Sequence, residues 1–315
     1  MVDRANKPSA LAATPGLPPQ AQVTISDGNS RVKATLPTGE SIEVLLHGAT
    51  VLSWKDAAGD EKLWLSEAAK LDGSGAARGG IPIVFPVFGT DAGHAVGSLP
   101  QHGFARNSRW EFLGKSTTEG TTTAGVKLDF GLSSETLDES TRKQWPYSFG
   151  LVYSVTLDRD NLNTTLVITN DGDQPFEFQT LLHNYFRVAD IESVSVAGVE
   201  DSPYIDKVDS AKTKTQSSGP VTFAGETDSV YTPIKGASNP LVISEAGKPK
   251  FRIIRDNLDD AVIFNPWIDK SNGMADFAPK GDWKRMVCVE PGSVTKWQTL
   301  EKGDVYQAAQ TIYLI

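Results

Sequence analysis

The 315-residue chain is acidic, with a formal net charge of -9 and a pI near 5.0, and no basic stripe dominates it, which excludes nucleic acid as a general partner. Its one cysteine, Cys288, excludes an internal disulfide, and no run approaches the roughly 18 uninterrupted apolar residues of a membrane span. The N-terminus lacks the apolar core of a signal peptide, so the chain reads as a soluble, cytoplasmic protein with no membrane partner, and its charge is compatible with a monomer.

Residues 1–20, rich in Ala and Pro and without periodicity, read as a disordered leader, and 21–315 as one domain. Period-two alternation marks strands at 32–36, 41–46, 51–54, 126–132, 147–157, 163–169, 176–188, 193–196, 241–244, 250–255, 261–265, 286–290 and 295–300. Pro37-Thr38-Gly39-Glu40 and Asn170-Asp171-Gly172-Asp173 read as hairpin turns, and the polar stretch 201–219 as loop. Helix is scarce: one short turn at 66–70, and a helix over 134–144 capped by Ser134 and stopped before Pro146. Many short strands at hairpin spacing with little helix predict an all-β sandwich or barrel.

Several chemistries lack their motifs. Gly73-Ser74-Gly75 and Gly79-Gly80 have the wrong spacing and context for a dinucleotide loop and read as flexible loop. There is no Walker loop and no Gly-x-Ser-x-Gly elbow. His47, His94, His102 and His183 are scattered without metal-ligand spacing, so no metal is implied.

Three stretches carry positive signals. Within 176–188, strand parity puts Phe176, Phe178, Leu182, Phe186 and Val188 on one face, and Glu177, Gln179, Leu181, His183, Tyr185 and Arg187 on the other. A lone strand histidine is ordinarily plain surface, but Leu181 and Tyr185 beside it make that face half-apolar, which suits a sugar ring. Glu290 ends the apolar run 286–289 just before Pro291-Gly292, a turn signal; at such a rim a carboxylate is either solvated or partly desolvated into a better base. Arg78-Gly79-Gly80 and Gln101-His102-Gly103-Phe104-Ala105-Arg106 both set arginine near glycine, a way for an acidic protein to hold a phosphate; the alternative is a bend before Pro82 with surface arginines. On an extended segment, His102 and Arg106 would project to one side.

Taken together and in order, the chain resembles the hexose-6-phosphate mutarotases (glucose-6-phosphate 1-epimerases) of the galactose-mutarotase-like superfamily, over about residues 24–315. The resemblance is carried by Gly48-Ala49, Ser53-Trp54, Arg78-Gly79-Gly80-Ile81-Pro82, Phe85-Pro86, His102-Gly103-Phe104-Ala105-Arg106 and Trp110. It continues through Leu182-His183-Asn184-Tyr185-Phe186, Asp228-Ser229-Val230-Tyr231, Asn265-Pro266-Trp267 and Val287-Cys288-Val289-Glu290-Pro291-Gly292. It implies a large antiparallel β-sandwich with a concave sugar-binding face, acting on a sugar phosphate without cofactor or metal. On it, His183 and Glu290 take catalytic positions, Arg78, Gln101 and Arg106 substrate-binding positions, Asp228 that of an acidic ligand, and His102 that of a second active-site histidine. Anomer interconversion needs a proton taken from the anomeric hydroxyl and one given to the ring oxygen, which a carboxylate and an imidazole can do. A mutarotase of neutral aldoses and a noncatalytic carbohydrate-binding sandwich are the other readings; a glycosidase would ordinarily need a second carboxylate.

Overall fold

The computed structural model describes residues 20–28, 30–117 and 125–315; the expected leader, Gln20 apart, lies outside them. Along Val126–Ser133 and Asn161–Asn170 every second side chain is buried, the pattern of a strand with one face on a core. Such strands form three sheets. A four-stranded sheet takes Gln22–Ser26, Arg31–Thr35, Ser41–Leu45 and Thr50–Lys55 in sequence order. A nine-stranded sheet runs from Val221–Thr222 through Val194–Ala197, Leu241–Glu245, Lys248–Asp256, Val305–Leu314, Asn161–Asn170, Phe149–Leu157 and Val126–Ser133 to Glu111–Thr117. The third sheet runs Lys212–Thr215, Pro203–Asp206, Thr227–Tyr231, Asp260–Asn265, Met286–Leu300, Phe176–Leu182 and Ile83–Val84, with Tyr185–Arg187 also paired to Met286–Leu300.

The pairings within these sheets are antiparallel, and the two large sheets face each other in the expected β-sandwich. Phe178 meets Tyr306 edge-on at 5.2 Å between ring centroids, and Phe186 lies 4.8 Å from Phe251. Amid this apolar filling, buried Asn184 and Gln310 exchange two hydrogen bonds of 2.8 Å, satisfying polar atoms that would otherwise be costly there. The other face of the third sheet carries a small apolar cluster of Val84, Leu181, Val230, Val262 and Val294.

Local signals misled in several places. The turn at 37–40 does join a hairpin, Arg31–Thr35 to Ser41–Leu45. The one at 170–173 instead carries the chain between sheets: Asn170 donates to the carbonyls of Gln174 and Leu300, both at 2.9 Å. Turn chemistry fixes a reversal, not the sheet that follows. Within 201–219 lies a hairpin of Pro203–Asp206 and Lys212–Thr215, an edge pair too polar to alternate visibly. The helix expected over 134–144 splits into Ser134–Thr136 and Glu139–Gln144, because buried Leu137 is extended; the cap is Asp138, accepting from the Thr141 N–H at 2.9 Å.

Candidate active site

The strand expected over 176–188 is broken at His183-Asn184, and its partner is one 15-residue strand, Met286–Leu300, that crosses Pro291-Gly292 without turning. Two features keep that partner extended. Asp260 accepts the N–H groups of Val294 and Thr295 at 2.8 Å each. Gly292 admits the neighbouring strand, since a Cβ there would lie 3.0 Å from Leu181 Cβ. Pro291 has no N–H for the ladder, and opposite this gap the chain finds other partners. The His183 N–H donates to the Pro82 carbonyl at 3.0 Å, and the Asn184 side-chain amide donates to the Val289 carbonyl at 2.9 Å.

This break sets His183 Nδ1 3.5 Å from Glu290 Oε2. Glu290 is therefore not at a rim: it is 1 % exposed, mid-strand, opposite Val262, and His183 is 8 % exposed. The imidazole lies flat on the Tyr185 ring, 4.6 Å between centroids and 5° between planes, with His102 edge-on at 6.1 Å. His183 Nδ1 and both Glu290 oxygens are buried without hydrogen-bond partners. Burial, and then the negative charge of Asp228, hold the Glu290 carboxyl well above the usual carboxylate range. Burial, and then His102, Arg106 and Arg78, push the His183 imidazole well below its ordinary value. At 3.5 Å the two lie within ion-pair distance, yet both shifts favour the uncharged forms, so the contact is a low-charge one.

The arginines reach the same space from loops. Gly79 and Gly80 (φ +126° and +68°) form a tight bend, not a flexible loop: a Cβ on Gly80 would sit 2.2 Å from the Val51 carbonyl oxygen. The bend aims Arg78 at the cleft, where it pairs with Asp276 at 3.1 Å and donates to the Tyr185 hydroxyl at 3.3 Å. His102 and Arg106 arrive from a turn and not from an extended segment, since His102 has φ +67° and Ala105–Asn107 is a 3-10 turn. The Gly89 N–H donates to His102 Nδ1 at 3.0 Å, which places the proton of the neutral ring on Nε2. Burial, followed by Arg106, Lys207 and Arg78, pushes the His102 pKa down to about 2. Arg106 donates to the Gln101 carbonyl at 3.0 Å while its Nε is buried without a partner, and burial pushes its pKa down to about 10.

All seven residues singled out in the sequence, Arg78, Gln101, His102, Arg106, His183, Asp228 and Glu290, line one cleft of about 220 Å³. Phe88, Tyr185, Lys207, Phe264 and Lys270 line it too. Strand parity had already put Tyr185 on the face of His183. Lys207 and Lys270 gave no signal: one follows the inner strand of an edge hairpin hidden in polar sequence, and the other rides on the short helix Trp267–Gly273. His183, Cys288 and Glu290 bring one possible metal-ligand atom each within 4.8 Å of one another. Burial, and then Glu290, hold the Cys288 thiol well above its ordinary value. A carboxyl and an imidazole, close and unpartnered at the floor of a polar cleft, can exchange protons with a bound hydroxyl-rich ligand.

The family model for aldose 1-epimerase matches residues 30–313. The chain is 35 % identical over 268 residues to a candidate glucose-6-phosphate 1-epimerase of Cenchrus ciliaris, covering 84 % of this chain and 78 % of that protein. It is 36 % identical over 267 residues to one of Escherichia coli K12, covering 85 % and 84 %. Its fold is similar to the crystal structure of a candidate mutarotase from Salmonella typhimurium, with a TM-score of 0.79, 32 % identity and 94 % of both chains covered. The likeness extends in fold alone to a galactose 1-epimerase from Lactobacillus acidophilus NCFM, with a TM-score of 0.68, 15 % identity, and 95 % and 99 % covered.

Proposed function

Because the chain belongs to the aldose 1-epimerase family, and so is an isomerase of the epimerase and mutarotase type, we propose that it interconverts the α and β anomers of a hexose 6-phosphate, with glucose 6-phosphate the substrate that fits best. One observation supports the phosphate most: Arg106, half-buried and with its Nε left without a partner, opens on the same cleft as the unpartnered His183 and Glu290. A partly buried guanidinium without a carboxylate is a costly feature that an anionic ligand relieves. The relatives named for glucose 6-phosphate agree with this reading.

In the proposed reaction Glu290 takes the proton of the anomeric hydroxyl and His183 gives one to the ring oxygen, so the ring opens to the aldehyde. After rotation about C1–C2 the two exchange roles and the ring closes on the other face. The reacting form of the pair, one proton shifted from the uncharged form that burial favours, is imidazolium and carboxylate; it passes to imidazole and carboxylic acid as the ring opens, so the net charge stays zero throughout. That suits a buried site, where creating net charge would be opposed by desolvation. The uncharged forms that burial favours are those of the open-chain stage, while the nearby positive charges of Lys207 and Arg106 draw the Glu290 carboxyl toward its ionised form. His102, with its proton on Nε2, is a hydrogen-bond donor and not a base.

Each well-placed proton transfer contributes about 100-fold to 10,000-fold. Glu290→Gln and His183→Ala are each expected to return anomer exchange of glucose 6-phosphate, followed by NMR, to near the uncatalysed rate while circular dichroism is unchanged. A near-normal rate in either variant would sink the assignment.

A further inference from the structure

Lys207 directly follows the strand Pro203–Asp206, and its backbone N–H donates to the Asp228 carbonyl at 2.9 Å. Its ammonium lies 4.0 Å from the centroid of the Phe88 ring, at the cleft that Arg106 and Glu290 also line. Phe88 is a fixed platform: its N–H donates to Gln179 Oε1 at 3.0 Å, and its ring lies 5.2 Å from that of His102. The acidic side chains of the same hairpin are turned elsewhere, since Asp206 and Asp209 each bind Lys214 at 2.8 Å.

The cations of the cleft fall into two groups. Arg78 is matched by Asp276, and Lys270 by Glu226 at 3.0 Å and Asp228 at 3.4 Å. Among the described residues, Arg106 and Lys207 have no carboxylate oxygen within ion-pair distance. A phosphate monoester carries about -1.5 to -2 charges near neutral pH, which one guanidinium and one ammonium balance. An exposed ammonium resting on an aromatic face is weakly held and can swing onto an anion.

We propose that Lys207 completes the phosphate-binding end of the cleft with Arg106 and is a determinant of specificity for phosphorylated over free sugar. The inference rests on the hexose 6-phosphate reading above. The compact ammonium adds charge where the guanidinium adds fixed geometry, so the two act together without being interchangeable.

The test is anomer exchange on glucose 6-phosphate and on glucose, with the full chain and its Lys207→Ala, Lys207→Arg and Arg106→Ala variants, folding being checked by circular dichroism. Lys207→Ala is expected to raise KM for glucose 6-phosphate about 10-fold to 100-fold, the worth of one charge-assisted hydrogen bond, and kcat by contrast should move less than about 3-fold. The preference for phosphorylated sugar should fall with it, weaken less steeply as salt is raised, and return largely in Lys207→Arg. A KM change below about 3-fold in Lys207→Ala, beside a large one in Arg106→Ala, overturns this inference and leaves the hexose 6-phosphate reading standing. Equal handling of the two sugars by the unmodified protein overturns both.

Discussion

The floor of the cleft and its rim handle charge in opposite ways. At the floor, His183 and Glu290 sit beside and within the long strand Met286–Leu300, buried, unpartnered and pushed toward their uncharged forms. At the rim, Arg78 and Arg106 come from glycine-bent loops, and Lys207 and Lys270 from a hairpin and a short helix. The floor is locked by a ladder interruption that needs Pro291, Gly292 and Asn184 together; the rim is set by loop geometry and partnering that differ from one cation to the next. On the proposed reading, proton transfer belongs to the rigid sheet, whereas substrate preference resides in elements that sequence change can alter without disturbing the strands.

Removing rim charges is the strongest way to break this contrast. Arg106→Ala is expected to raise KM for glucose 6-phosphate about 10-fold to 100-fold, with kcat changed far less, because it removes a charge-assisted contact and little scaffold. Arg78→Ala should cost as much in binding and also lower thermal stability, since Asp276 and Tyr185 lose a partner. Equal stability of the two variants would show that Arg78 is as free as Arg106.

The floor gives a smaller effect of opposite kind. Glu290 has a folded pKa above its ordinary 4.5, so the folded protein holds a proton that the unfolded chain releases, and stability is lost as pH rises through the folded value. Glu290→Gln has no such proton to lose. Its urea unfolding at pH 8 should therefore show a gain of about 1–3 kcal/mol over the unmodified protein, shrinking as pH falls toward 4.5. The two histidines of the cleft work the other way: His183 and His102 are depressed below 6.5, so their contribution is present above that pH and fades as pH falls below it. A variant less stable than the unmodified protein at pH 8 would mean that Glu290 is a stabilising ion, not a strained one.

Much of this was legible in the sequence, for physical reasons that also mark where legibility stops. Alternation announced the all-β class, since half-buried strands such as Val126–Ser133 and Asn161–Asn170 leave a period of two. The seven site residues were recognisable from the ordered set of motifs, though no single motif carried enough weight. What stayed hidden was set by long-range pairing. Pro291-Gly292 looks like a turn until Asp260 and Leu181 are seen to hold it extended. The break at His183-Asn184 follows from that neighbour and not from any local breaker. Lys207 could not be found because an exposed edge hairpin has no apolar alternation to show.

Exchange spectroscopy between the anomers of glucose 6-phosphate, with glucose and galactose run alongside under identical conditions, tests the floor and the rim at once. The predicted result is acceleration of all that pass over His183 and Glu290, with kcat/KM for the phosphorylated sugar higher by about 100-fold or more, the combined worth of two charge-assisted contacts. Equal or greater acceleration of the unphosphorylated sugars would contradict it.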